Sequence, residues 1–249
     1  MEYAYRTDIG KRRASNQDYV GLFKNDSGAN LAIVADGMGG HQGGDVASEM
    51  AVSHIGYAFA DLNAADIDGA AKWLIAELSR ENDLILERGQ QFADLTGMGT
   101  TIVAVLVYGN KFVVANIGDS RAYLYRRKHL LQITEDHSLV NELVKSGELT
   151  PEEAENFPRK NVITRSLGVA PDVDADVNTY DLLVGDTLLL CSDGLTKTVS
   201  DEHLAQILAD SATLQEKADE MIKQANAAGG PDNISALLVH ANSGGASDD

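Results

Sequence analysis

The chain has 249 residues, 44% of them hydrophobic, with 23 Gly, 4 Pro and a formal net charge of −18. That length and apolar content suffice for one sizeable core, and frequent Gly without Pro-rich linkers argues for a single body. So much negative charge argues against a nucleic-acid or anionic-membrane partner. A lone Cys191 excludes an internal disulfide.

The start Met1-Glu2-Tyr3-Ala4 has neither a basic nor an apolar signal region, and no apolar run reaches the roughly 18 residues that span a bilayer. The expected location is therefore cytoplasmic.

Residues 18–24 and 30–35 read as strands flanking a turn. Residues 45–61 and 67–87 carry apolar positions at helical spacing. Residues 100–108 are dense in β-branched side chains, and Gly109-Asn110 turns them into a strand at 111–116. Gly118-Asp119-Ser120 turns again into 121–127, and further strands are predicted at 187–191 and 234–240. Later helices are predicted at 138–145, 201–209 and 214–227. Strands joined by tight turns imply antiparallel pairing, and helices in sequential pairs imply outer layers, so the fold class is α+β. Residues 1–240 form the expected domain. Residues 241–249, small and polar, form an expected disordered tail.

The informative residues are aspartates at the ends of apolar strands. Asp36 follows Leu31-Ala32-Ile33-Val34-Ala35, and Asp193 follows Leu188-Leu189-Leu190-Cys191-Ser192. Asp232 precedes Asn233-Ile234, Asp18 ends Arg13-Ala14-Ser15-Asn16-Gln17, and Asp119 sits in a hairpin turn. Asp36 and Asp193 are each followed by Gly, which lets backbone come close to a ligand. A carboxylate beside an accessible carbonyl is a hard oxygen donor set suited to Mg²⁺ or Mn²⁺. A single Asp-Gly is ordinarily just a turn. The glycine-rich run Asp36-Gly37-Met38-Gly39-Gly40-His41 directly after a strand is less ordinary.

In order along the chain come Arg13 to Asp18, Asp36 to His41, Gly97-Met98-Gly99-Thr100-Thr101, Gly118-Asp119-Ser120-Arg121 and Thr134-Glu135-Asp136-His137. Thr164-Arg165-Ser166-Leu167-Gly168, Ser192-Asp193-Gly194 and Gly230-Pro231-Asp232-Asn233 complete the series. Each segment is weak alone. Together, in this order, they resemble the metal-dependent Ser/Thr protein phosphatases of the protein phosphatase 2C family, particularly its short bacterial members.

The resemblance implies a central antiparallel β-sandwich flanked by pairs of α-helices, with a mobile flap near residues 138–161. It implies hydrolysis of phosphoserine and phosphothreonine by a hydroxide bridging two Mn²⁺ or Mg²⁺ ions. Asp36 would bridge the ions, the Gly37 carbonyl would bind one, and Asp193 and Asp232 would hold the other. Asp18 would support the site, and Asp119 would share a weaker third ion with Asp193. The family's acidic residue before the first Asp is here Gln17. Arg13 would grip two phosphate oxygens; read alone, it is a surface cation beside Lys11 and Arg12. His41 would donate a proton to the leaving oxygen or support the site. Animal members carry that His directly after the Asp-Gly pair, where this chain has Met38. His137 reads as a structural hydrogen-bonding residue. The implied partners are phosphorylated proteins, among them a Ser/Thr kinase and its targets.

Cysteine-phosphatase chemistry is unsupported, because Cys191 lies in an apolar strand and the residue six positions later is Lys197, not Arg. The remaining competitors are a two-metal phosphodiesterase and a non-catalytic module that keeps only the fold.

Overall fold

A computed structural model describes residues 1–39 and 43–242. In chain order the elements are β1 (Glu2–Asp8), β2 (Asp18–Lys24), β3 (Asn30–Met38), α1 (Gly43–Phe59) and α2 (Ile67–Gln91). A 3-10 turn at Ala93–Leu95 leads into β4 (Gly99–Thr100), β5 (Ile102–Tyr108), β6 (Lys111–Ile117), β7 (Arg121–Arg126) and β8 (His129–Gln132). Then come α3 (Leu139–Lys145), α4 (Pro151–Glu155), β9 (Asp176–Asp181), β10 (Thr187–Cys191), α5 (Asp193–Thr196), α6 (Asp201–Ala209), α7 (Leu214–Ala227) and β11 (Ile234–His240).

Two sheets form, one in the order β1-β11-β10-β7-β8, the other β2-β3-β5-β6-β9 with β4 also paired to β3. Every pairing is antiparallel. The period-2 alternation of side chains splits the apolar content into three cores. Ala32 and Val34 of β3, Leu188 and Leu190 of β10, and Leu237 and Val239 of β11 meet between the sheets. Leu31, Ile33 and Ala35 turn the other way, onto Val52 and Ile55 of α1 and Leu74 and Leu78 of α2. Leu189, Cys191, Ala236 and Leu238 likewise pack on Leu204 of α6 and Met221 of α7. The architecture is the expected α-β-β-α sandwich.

The predicted strands at 18–24, 187–191 and 234–240 appear with those bounds, and β3 runs on through Gly37 to Met38. Three strands were not foreseen: β1, β8 and β9. All three are sheet edges. The segment expected as a flap holds α3 and α4, anchored where Asn141 Nδ2 donates to the Asp136 carbonyl at 2.8 Å and Lys145 pairs with Glu135 at 2.7 Å. The tail was expected to begin at 241. Instead Ala241 accepts from the Gly185 N–H at 2.7 Å and donates to the Asp186 carbonyl at 2.9 Å, and Asn242 Oδ1 accepts from the Met1 amino group at 2.6 Å. The backbone pairing of the last strand thus carries past His240. Residues 243–249 lie outside the described residues.

Candidate active site

The register of the sandwich gathers the aspartates. Antiparallel pairing of β2 with β3 sets Asp18 directly opposite Asp36. On the facing sheet β10 and β11 are neighbours, so Asp193, just past the end of β10, comes beside Asp232, just before β11. Asp119 lies in the turn between β6 and β7, which crosses from one sheet to the other. The acids therefore converge at one end of the sandwich from four strand connections.

Each is held by its surroundings. The Asp36 N–H donates to Thr101 Oγ1 at 3.0 Å, and its carbonyl accepts from Thr100 Oγ1 and the Thr101 N–H, both at 2.9 Å. Asp18 Oδ2 accepts from Ser192 Oγ and Ser235 Oγ, both at 2.7 Å. Asn233 ties the Arg13 loop down. Its Nδ2 donates to the Ile9 and Ser15 carbonyls at 2.9 Å, and its Oδ1 accepts from the Gln17 N–H at 2.9 Å. Arg13, about half exposed, then reaches Asp232, with Nη2 2.7 Å from Oδ2. His137 steadies the Asp119 turn: its Nδ1 accepts from the Gly118 N–H at 3.1 Å, and its Nε2 lies 3.2 Å from Asp176. The bond from Gly118 fixes the tautomer, with the ring proton on Nε2 facing Asp176.

The glycines after Asp36 and Asp193 serve packing inside the protein. Neither has a positive φ. A Cβ on Gly37 would stand 1.9 Å from the Gly44 carbonyl oxygen, and one on Gly194 would stand 2.0 Å from that of Asn233. Gly at these positions lets the start of α1 close on β3, and α5 close on the approach to β11. Close approach of the chain's own backbone is thus one reason for glycine at both positions.

The electrostatics are strained. Burial pushes Asp18 up to about 7, against its two serine hydrogen bonds, with repulsion from Asp193 and Asp232 adding to the rise. Asp119 is likewise raised to about 7 by burial and by Asp193. Asp36 is raised well above the usual carboxylate range by desolvation, then by repulsion from Asp18, Asp193, Asp119 and Asp232. Among the described residues, one oxygen each of Asp18, Asp119 and Asp193 is buried without a hydrogen-bond partner. Such oxygens are costly unless something positive faces them.

Part of that need is met by the chain itself. Lys197, which sequence reasoning passed over except to discount a cysteine phosphatase, pairs its Nζ with Asp193 Oδ2, as Arg13 does with Asp232. Among the described residues no three His, Cys, Asp or Glu side chains stand as a ready-made coordination shell. The acids are spread over partners of their own, yet they retain unpartnered oxygens and mutual repulsion. That chemistry fits divalent cations with oxygen ligands. His41 lies outside the described residues. Grooves of about 430 Å³ between α1 and α2 and about 540 Å³ between α6 and α7 lie on the helical layers, away from these acids.

Comparison with known proteins agrees with this geometry. The profile of the protein phosphatase 2C family matches residues 10–238. The serine/threonine phosphatase stp of Listeria welshimeri is 46% identical over 246 residues, 97% of this chain and 96% of that protein. The solved structure of the S. agalactiae serine/threonine phosphatase superposes with a TM-score of 0.93 at 44% identity, covering 97% of this chain and 99% of the other. The catalytic domain of the phosphatase PstP, solved in complex with 2 manganese ions, superposes with a TM-score of 0.84 at 38% identity, covering 95% and 96%. A family match along almost the whole chain, on the same sandwich and with the aspartates gathered at one end, means that this chain belongs to the protein phosphatase 2C family.

Proposed function

We propose that this chain is a protein serine/threonine phosphatase that works with divalent cations held at the aspartate end of the sandwich. The observation that supports it most is the set of buried, mutually repelling carboxylates with unpartnered oxygens in a member of this family. Asp36, Asp18, Asp193, Asp232 and the Gly37 carbonyl would hold two core Mn²⁺ or Mg²⁺ ions, and Asp119 would share a weaker third with Asp193. When bound, such ions lower the pKa of coordinated water and so supply a nucleophile near neutral pH.

The chain's own residues do the rest. Arg13 spends one guanidinium nitrogen on Asp232 and makes no other hydrogen bond or ion pair among the described residues. Its remaining donors suit two oxygens of a phosphate. Turning from Asp232 to substrate, it would orient the phosphoryl group for in-line attack. His41 is proposed as the proton donor to the leaving Ser or Thr oxygen, or as support for the site. No step uses Cys191. It is fully buried in the core under α6 and α7, and burial pushes its thiol up to about 12.

The substrates proposed for a member of this family are phosphorylated proteins, among them a Ser/Thr kinase and its targets. The proposed location is the cytoplasm; no helix among the described residues is long and apolar enough to cross a membrane. The test is hydrolysis of a phosphothreonine peptide with Mn²⁺, with Mg²⁺ and after chelation, beside a phosphodiester control. Turnover of the monoester alone, dependent on metal, is expected. Full activity in metal-stripped protein would overturn the proposal.

A further inference from the structure

The two ion pairs at the site differ in kind. Arg13 arrives on a loop and is half exposed. Lys197 is built into the scaffold of Asp193 itself. Asp193 opens the single turn of α5, and Lys197 follows four residues later, its N–H donating to the Asp193 carbonyl at 2.8 Å. Residues four apart share a helix face, so the side chain is delivered onto the Asp193 carboxylate. Lys197 is 36% exposed, and Asp193 only 11%. Burial disfavours the ammonium, yet the carboxylates of Asp193, Asp119 and Asp36 together hold its pKa above the ordinary lysine value. Lys197 in turn offsets part of the rise at Asp119. The fold of α5 thus fixes this charge against Asp193, at the end of the sandwich where Asp119 and Asp36 also converge.

We propose that Lys197 is a resident cation on the Asp119–Asp193 side of the site, one that holds the place of the weaker third ion in the metal-free protein and competes with that ion for it. This rests on the metal-dependent reading above and adds to it a property of this chain's own side chain. The Lys stem is flexible, so the ammonium can leave when a divalent ion arrives, but the ion must displace it. Metal affinity on this side is therefore set below what the carboxylates alone would give. In return the metal-free protein keeps a charge against Asp193 and Asp119 that would otherwise be buried without one.

The experiment is Mn²⁺ titration calorimetry on metal-stripped wild type, Lys197→Met and Lys197→Arg, with melting temperature in chelator and in excess Mn²⁺. Lys197→Met should bind one more ion, or bind its weakest ion about tenfold tighter or more, because a neighbouring positive charge has been removed. Adding Asp119→Asn to Lys197→Met should abolish that gain. In chelator Lys197→Met should melt below wild type, and the gap should close in excess Mn²⁺. Lys197→Arg should behave as wild type. Equal stoichiometry and affinity in wild type and Lys197→Met would overturn the inference while leaving the metal-dependent site intact. So would a melting deficit that persists unchanged in Mn²⁺, which would mark Lys197 as a plain structural contact. Flat titrations for both proteins would overturn the metal-dependent reading itself, and this inference with it.

Discussion

Among the described residues, two of the places that bury carboxyl groups do so differently. Between α1 and α2, Glu81 is buried with its side chain only 3% exposed, and His54 Nδ1 lies 3.0 and 3.1 Å from its two carboxyl oxygens. Its pKa is pushed up to about 8, chiefly by burial, with Arg80 working against the rise and Glu77 adding to it. At the end of the sandwich Asp18 and Asp119 reach about 7, and burial is again the first cause. A raised carboxyl therefore does not by itself mark a functional centre. Glu81 is a single acid whose oxygens both face one imidazole. The aspartates repel one another and keep oxygens that nothing among the described residues satisfies. That remainder separates a cation site from a buried structural pair.

Replacing one acid in each place by its amide breaks the comparison most sharply. Asp36→Asn should lower kcat/KM by about a thousandfold or more, the scale on which lost electrostatic support at a reacting centre is felt. In chelator at pH 8 the same variant should melt above wild type, since the amide removes a charge that four neighbouring acids oppose. Mn²⁺ should then raise its melting temperature less than it raises that of wild type. Glu81→Gln should leave turnover unchanged. Loss of melting temperature in Asp36→Asn without metal would mean that repulsion is not what governs this end of the sandwich.

Arg13 comes next in size. As a phosphate ligand it should contribute on the order of 1.5–3 kcal/mol, so Arg13→Ala should cost roughly ten- to a hundredfold in kcat/KM at saturating Mn²⁺. Arg13→Lys keeps the charge but not the planar fork and should recover only part of the loss. The pairing with Asp232 supplies the competing outcome. If Mn²⁺ affinity falls in Arg13→Ala while inhibition by inorganic phosphate stays normal, Arg13 serves the carboxylates rather than the substrate.

How much of this was legible in the sequence follows from burial. Central strands such as β5 and β10 are apolar along their length and stood out. The overlooked strands are edges. β1 buries only Ala4, while β8 and β9 bury no residue fully, so their sequences carry little alternation and the pairing neighbour decides the conformation. α4 did carry a signal, Thr150 and Glu153 in a capping box with Pro151 at the first turn, but it is short enough to pass for a loop. The aspartates were legible because each abuts a strand end. Their partners were not. Ser192 and Ser235 meet Asp18 only through the pairing of distant strands, and Lys197 matters only once Asp193 is known to open a helical turn.

The smallest effect concerns the pH dependence of the Glu81 pair. In the unfolded chain a Glu ionises near its model value of 4.5, whereas in the fold Glu81 holds its proton to about 8. Between these values the native state carries a proton that the unfolded state has lost, so stability falls as pH rises. The contribution is fully present below the unfolded pKa and is gone once pH has passed the folded one. His54, half exposed at 49%, brings water to the pair, so the loss should stay on the order of 1–2 kcal/mol. Gln at position 81 keeps the shape and a hydrogen-bonding group but cannot ionise. Denaturant unfolding of wild type and Glu81→Gln in chelator at pH 5 and pH 8.5 isolates the effect, because both proteins carry the same aspartates. The variant should gain on wild type between the two pH values by that amount. An equal fall in both would place the whole alkaline loss at the end of the sandwich and mean that Glu81 holds no proton that the unfolded chain lacks.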